Sequence, residues 1–119
     1  EDLLFSGSFD EKIGYNYGEE IAKIKPLPDG LVVADDLVAL GAARAFEDLG
    51  INIPKDIAIA SFNNSVFAKH SNIPLTSVDI NAMELGRQAM NLLVSAIEEE
   101  TRGKKVSIPH KIYKRESTG

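Results

Sequence analysis

The sequence predicts an α/β fold in which helices cover both faces of a parallel sheet. Apolar runs of strand length occur at residues 3–5, 31–34 and 57–62, and stretches with helical spacing lie between them. The runs are continuous rather than alternating with polar residues, which is typical of parallel strands that are buried on both faces. Strands that alternate with helices along the chain are the order expected of an open α/β sheet.

The first helix is expected over residues 10–24, where an isoleucine or a tyrosine recurs near helical spacing. A pair of prolines ends this helix, because proline cannot continue the helical hydrogen bonding. The strand at 31–34 then leads to Asp35 and Asp36, either of which can cap a helix that reaches residue 49. Gly50 follows at the position where helix C-termini favour glycine.

The last third of the chain predicts an extended piece, one long helix and a returning strand. Residues 74–78 are extended, and Asn81 and Glu84 then have the spacing of a capping box at the start of a helix over 81–100. Residues 106–113 return as a strand that a proline interrupts. The long helix carries an apolar stripe made of Leu85, Ala89, Leu92, Leu93, Ala96 and Ile97.

The composition is that of one soluble domain. The 119 residues are 44% hydrophobic, which is enough for one core, and no stretch approaches the roughly 20 apolar residues that span a bilayer. The absence of cysteine excludes disulfides and thiolate chemistry and fits a cytoplasmic location. The net charge of −5 argues against direct binding of nucleic acid, which normally needs a basic surface. The chain begins at Glu1 without a methionine or a signal segment, so we expect a fragment of a longer protein.

Residue patterns for catalysis, metals and cofactors are weak, so we expect a non-enzymatic protein with no cofactor. His70 and His110 lie forty residues apart without a nearby carboxylate cluster, which argues against a metal site. No glycine-rich phosphate loop follows a strand, and no serine lies in the strand–turn–helix motif of an activated nucleophile.

Three residues at or after strand ends are candidates for contacting a small polar ligand: Phe9, Asp35 and Asn63. Ligands of open α/β sheets bind outside the carboxyl ends of the strands. An aromatic ring can stack on the C–H face of a sugar, and carboxylate and amide groups can pair with adjacent hydroxyl groups. Structural roles stay open as alternatives. Phe9 can be a core aromatic, and Asp35 can, like Asp36, simply start a helix. Asn63 and Asn64 can simply end the strand in a turn.

Six short motifs follow one another over about a hundred residues. They read FDEKIGY at 9–15, VVADDLVALGA at 32–42, GINIPKDI at 50–57, LTSV at 75–78, LG at 85–86 and KREST at 114–118. In this order they resemble the effector-binding domain of the lactose-repressor (LacI/GalR) family. Two departures occur: SFN at 61–63 stands where the family usually has Gly-Tyr-Asp, and Asp35 stands where it usually has Asn.

The resemblance implies the type I fold of periplasmic sugar-binding proteins, of which this chain would be an incomplete piece. Residues 1–78 and 106–119 would form the C-terminal lobe, and residues 79–105 a helix that normally packs in the N-terminal lobe. The three candidate residues match the family's effector-contacting positions one by one. The resemblance also implies a homodimer that binds a small-molecule effector, a sugar or related metabolite, between two lobes. Operator DNA would be reached only through a headpiece that this chain does not contain.

The helix that follows Asp35 is apolar on nearly every side, which requires burial on more than one side. As in dimers of the family, we expect its face away from the sheet, with part of 65–73, to contact a second copy of the chain. The alternative is that the first helix of the same chain covers this face. The residues assigned to the dimer contact are Leu37, Leu40, Gly41, Ala42 and Ala45.

Two other functions stay open. A periplasmic sugar-binding protein that serves transport has the same fold, although the KREST ending favours a regulator. A receiver-like signalling domain would use Asp35 or Asp36 in a Mg²⁺-binding pocket. That function also needs a lysine at a later strand end, where the chain has Asn63 and Asn64 instead.

Overall fold

A four-stranded sheet forms the centre of the computed structural model, which describes residues 3–98 and 103–119. The strands are β1 (Gly30–Val32), β2 (Ala58–Phe62), β3 (Thr76–Asp79) and β4 (Lys111–Tyr113), and they lie side by side in this order. β1, β2 and β3 are parallel, whereas β4 pairs with β3 in the antiparallel direction. The predicted α/β class is confirmed, with a sheet that is mostly parallel.

The helices of the described part are α1 (Glu11–Ile21), α2 (Asp36–Asp48), α3 (Val66–His70) and α4 (Ala82–Glu98), and a 3₁₀ turn (Glu116–Thr118) follows β4. The sequence predictions include α1, α2 and α4 but not α3, whose five residues are too few for a periodic pattern. Among the residues described, no helix has the length and apolar character that crossing a bilayer requires.

Side chains cap α1 and α2 where the sequence predicts their starts. Asp10 Oδ1 accepts a hydrogen bond from Ile13 N at 2.8 Å, and Asp35 Oδ1 accepts one from Leu37 N at 2.8 Å. Each cap stabilises its helix by about 1 kcal/mol. Gly50 has φ 71°, the left-handed conformation in which glycine ends a helix without strain. The bounds of α2 are therefore set by its own sequence.

Glycines bring the backbones of α1 and α2 into direct contact. A Cβ atom on Gly41 would lie 2.0 Å from the carbonyl oxygen of Glu11, and one on Gly14 would lie 2.0 Å from that of Val38. No side chain can occupy these positions unless the helices separate. α1 therefore covers the side of α2 on which Gly41 lies.

The core lies between α2 and the sheet. Its largest fully buried apolar side chains are Phe46 of α2, Ile57 just before β2, Ile59 within β2, and Leu75 just before β3. Each contributes about 1.5–3 kcal/mol relative to an exposed position. This cluster packs the second half of α2 against the amino-terminal ends of β2 and β3.

The strand predicted at residues 3–5 is wrong. This segment has no ladder hydrogen bonds, and Leu3 and Leu4 are 63% and 87% exposed. The Phe5 ring packs on the Tyr17 ring with centroids 5.2 Å apart, and the Tyr17 hydroxyl donates to the carbonyl oxygen of Ser6 at 2.6 Å. Contacts with α1 therefore take the place of pairing with β1, which remains an edge strand.

The returning strand is shorter than predicted, because only residues 111–113 of the predicted 106–113 join the sheet. Pro109 has no N–H to donate to a ladder, which agrees with a strand that begins after it. The predicted capping box at the start of α4 does not form. Asn81 N donates to Asp79 Oδ1 at 2.8 Å, while Glu84 pairs with Arg87. The predicted end of this helix at residue 100 lies outside the described residues.

None of the residues of α4 is buried. Leu85, Leu93 and Ile97 of its predicted apolar stripe are 48%, 55% and 71% exposed. The molecule is accordingly elongated, with extents of 58 × 28 × 21 Å. That α4 packs in a second lobe stays a prediction.

The end of the chain is held in the sheet by one buried serine. Ser117 Oγ donates to the carbonyl oxygen of Ile59 at 2.6 Å and accepts from Thr76 N at 2.8 Å. The hydroxyl therefore bridges β2 and β3, where their own ladder has not yet begun. This contact gives a structural role to the serine of the KREST motif.

Candidate effector site

Asp35 and Asn63 come together at the carboxyl ends of β1 and β2. Asn63 Nδ2 donates to Asp35 Oδ2 at 2.7 Å, and the other carboxylate oxygen of Asp35 caps α2. The pair lies at an exposed position. Asp35 is thus both a helix cap and a partner of Asn63, so its two proposed roles are compatible.

The backbone turns sharply where β2 ends. Asn63 has φ 96° and Asn64 has φ 48°, and both values lie in the left-handed region that side chains other than glycine rarely adopt. Asn63 N nevertheless donates to the carbonyl oxygen of Val78 at 2.9 Å, which keeps this residue attached to β3. The turn directs the chain away from the sheet directly at the candidate site.

Phe9 is not a core residue, since 68% of it is exposed. It lines a groove of about 370 Å³ along the β1 edge together with Val33, Ala34 and Val38. Ala34 directly precedes Asp35, so the groove extends to the start of α2. An exposed ring at this position is available for stacking.

A buried carboxylate supports the site from below, and the sequence prediction missed it. Asp36 is 1% exposed, and it accepts hydrogen bonds from Ser61 Oγ at 2.5 Å, Ser77 Oγ at 2.7 Å and Ser65 N at 2.6 Å. These bonds fasten the start of α2 to β2 and β3 at once. Serines in otherwise apolar strands, at positions that pair across the ladder, were the available signal.

Three residues assigned to the dimer contact are covered by α1 of the same chain. Gly41 lies against the backbone of Glu11, and a Cβ atom on Gly18 would lie 2.7 Å from Ala45 Cβ and 3.0 Å from the carbonyl oxygen of Ala42. The assignment of Gly41, Ala42 and Ala45 is therefore corrected. The small side chains allow close approach of α1, which is the alternative that the sequence left open.

Leu37 and Leu40 remain half-buried. Leu40 lines a surface groove with Arg44 of α2 and with His70 and Ile73, which belong to the segment expected at the dimer contact. For these two leucines the contact with a second copy stays a prediction.

Comparison with known proteins agrees with this architecture. The family described as "Periplasmic binding protein-like domain" matches residues 5–118. Among solved structures, the transcription regulator CcpA of Lactococcus lactis superposes with a TM-score of 0.90 at 31% identity, over 100% of this chain and 44% of that one. The transcriptional regulator CelR in complex with cellobiose superposes with a TM-score of 0.85 at 28% identity, over 98% of this chain and 38% of that one.

The sequence relatives are regulators. The chain is 31% identical over 113 residues to the HTH-type transcriptional repressor MelR of Bacillus subtilis. The aligned region covers 95% of this chain and 33% of MelR. It is 32% identical over 104 residues to the lactose operon repressor of Rhizobium radiobacter, and the aligned region covers 87% of this chain and 92% of that protein. The chain belongs to the LacI/GalR family of periplasmic-binding-protein-like domains. It spans about a third of the length of relatives such as MelR.

The receiver-like alternative is wrong, because the chain belongs to a different family. The local chemistry agrees with this conclusion. Both carboxylate oxygens of Asp36 already accept hydrogen bonds from serines, so this carboxylate acts as a buried structural acceptor.

Proposed function

We propose that this chain is part of the effector-sensing domain of a LacI-type transcription regulator, and that Phe9, Asp35 and Asn63 contact the effector. The observation that carries the proposal is the hydrogen bond between Asp35 and Asn63 at the carboxyl ends of two parallel strands. That edge is where open α/β sheets bind their ligands. Because the pair is exposed, a ligand can reach it without rearrangement of the core.

The chemistry of the pair favours a ligand with several hydroxyl groups. The Asp35 carboxylate offers only acceptor positions, whereas Asn63 offers the acceptor Oδ1 and the second N–H of an amide group that gives its other N–H to Asp35. Adjacent hydroxyl groups of a sugar supply matching donors. The exposed ring of Phe9 adds an apolar face for the C–H side of such a ring. Relatives solved with cellobiose and with glucose support the same class of ligand.

Regulation would follow from the position of this site between two lobes. A ligand that closes the lobes biases their relative orientation, and a dimer passes that bias to DNA-binding segments elsewhere in the protein. The chain itself carries a net charge of −5 and is unsuited to contact DNA. We place such a regulator in the cytoplasm as a homodimer, with Leu37 and Leu40 near the contact between copies.

The test is isothermal titration of the complete two-lobed effector domain with sugars that thermal-shift screening selects. Asn63→Ala should weaken binding by about 1–3 kcal/mol, because it removes an amide that bonds both ligand and Asp35. Asn16→Ala, on the exposed side of α1, is the matched control and should bind as the unmodified protein does. Equal affinity of the Asn63→Ala variant and the control would remove Asn63 from the site.

A further inference from the structure

Asn64, the neighbour of Asn63, connects the end of β2 to the last residue of β3 and to the segment that follows β4. Its amide nitrogen Nδ2 donates to Asp79 Oδ2 at 3.1 Å, and its carbonyl Oδ1 accepts from Arg115 Nη2 at 2.5 Å. Asp79 is the last residue of β3, and Arg115 follows the end of β4 by two residues. We call residues 79–82, and residues 110–115 with β4 among them, the two crossovers. One side-chain amide therefore bridges them.

Each crossover is held at a second point as well. The other carboxylate oxygen of Asp79 accepts a hydrogen bond from Asn81 N at 2.8 Å, and Asn81 lies directly before α4. These two hydrogen bonds, first from Asn81 and then from Asn64, hold the pKa of Asp79 below its ordinary value. On the returning side, Arg115 Nη1 donates to the carbonyl oxygen of Leu75 at 2.6 Å, and Arg115 N donates to Thr76 Oγ1 at 2.8 Å. Asn64 is the group common to both sets.

Backbone strain is concentrated at the same place. In the described part of the chain, the non-glycine residues with positive φ are Asn63, Asn64 and Asn81, at 96°, 48° and 53°. Such conformations persist only where surrounding contacts impose them, and they cluster at sites that bind ligands or move. Here two of them directly follow β2, and the third lies in the first crossover, directly before α4.

The position of α4 depends on these crossovers, because no residue of α4 is buried against the rest of the chain. The β3–β4 ladder pairs Asp79 with Lys111, so the chain leaves β3 and enters β4 at the same rung. The side-chain bonds of Asn64 link Asp79 at this rung, and Arg115 beyond the other end of β4, to the turn that carries Asn63.

We propose that Asn64 is a positioning residue that ties the effector-site end of β2 to both crossovers. A displacement of Asn63 by a ligand is then passed through the adjacent Asn64 to the segments that orient α4. This proposal rests on the proposed function, in which Asn63 contacts the effector.

Amide hydrogen exchange of this chain, followed by NMR without any effector, tests whether Asn64 stabilises both crossovers. In Asn64→Ala, the amides of Asn81 and Arg115 should exchange about tenfold faster, since about 1.4 kcal/mol of local stabilisation corresponds to a factor of ten. The amide of Val33, which bonds the carbonyl oxygen of Ala60 inside the sheet, should change much less. Asn52→Ala is the matched control, because Asn52 Nδ2 makes the same kind of bond to Asp56 in a turn before β2.

A second variant separates the two crossovers. Asn64→Asp keeps an acceptor for Arg115 but places a second carboxylate against Asp79, so only the Asn81 amide should exchange faster. The proposal is overturned if either amide is unaffected in Asn64→Ala, or if Val33 accelerates by the same factor, which would indicate a general loss of stability. Because no effector is present, such a result would leave the effector site itself untouched. Unchanged effector affinity in Asn63→Ala would instead contradict the proposed effector contact, while the structural link made by Asn64 would still stand.

Discussion

Replacing Asp36 with asparagine is expected to lower the stability of the fold, although it exchanges only one oxygen for an amide nitrogen. The carboxylate is 1% exposed and accepts three hydrogen bonds, two from the hydroxyls of Ser61 and Ser77 to Oδ1 and one from Ser65 N to Oδ2. Asparagine has a single acceptor oxygen, and its N–H₂ group is a donor. One of these three donors must therefore lose its acceptor.

The structure sets the expected magnitude. If the amide oxygen takes the place of Oδ1, both serine hydroxyls keep their acceptor, and Ser65 N–H faces another donor. A buried donor left in this state costs about 1–3 kcal/mol. With about 2.1 cal/mol/K of unfolding entropy per residue, 119 residues give a shift of about 4 °C per kcal/mol, so the melting temperature should fall by about 4–12 °C.

Thermal unfolding followed by circular dichroism measures this shift. Asp48→Asn is the matched control in the same helix, because Asp48 is exposed and accepts only from the Tyr15 hydroxyl at 2.9 Å. Exposed changes of this kind usually stay within about 0.5 kcal/mol, or about 2 °C here. An Asp36→Asn protein that melts within about 2 °C of the control would refute the role given to the buried carboxylate.

Three further predictions concern other contacts. Asn63→Asp places two carboxylates where the 2.7 Å amide–carboxylate bond now lies and should lower the melting temperature, whereas the double variant with Asp35→Asn should recover most of the loss. Gly41→Ala should cost more than about 1 kcal/mol in urea unfolding, because its Cβ atom would lie 2.0 Å from a backbone oxygen of α1. Acid should weaken α4, since Arg87 and Gln88 hold the pKa of Glu84 at about 2, below its ordinary 4.5. Its contribution is full above about pH 4.5 and is lost as the pH falls through about 2.

Each of these predictions has its own control. A double variant no more stable than Asn63→Asp alone would show that the pairing with Asp35 contributes nothing. Gly86→Ala in α4, where no atom lies within 4 Å of the added Cβ, should leave stability unchanged or raise it by up to about 1 kcal/mol. A stable Gly41→Ala protein would therefore contradict the close packing of α1 and α2. For the acid titration, Glu84→Gln should remove this part of the pH dependence of helix content, and an unchanged titration would assign it to other groups.

Local features of the sequence were enough to predict the α/β class and most element bounds. Continuous apolar runs predicted parallel strands, although burial on both faces is wrong for β1, where Val32 is 75% exposed. The caps Asp10 and Asp35 act on amides only two or three residues away. Gly50 ends α2 through its own φ angle. Such signals depend on neighbours along the chain, so they can be read before the fold is known. The position of Asp35 and Asn63 at strand ends follows from the same reasoning.

Contacts between distant segments were decided only by the tertiary structure. Residues 3–5 have the composition of a strand, yet Phe5 packs on Tyr17 instead of pairing with β1. Gly41 suits a contact with any close partner, and only the packed helices show that α1 occupies that face. Asp36 resembles an ordinary helix-start residue in the sequence. Its role as a buried acceptor depends on serines 25 and 41 residues further along the chain, which become its neighbours only when the strands assemble side by side.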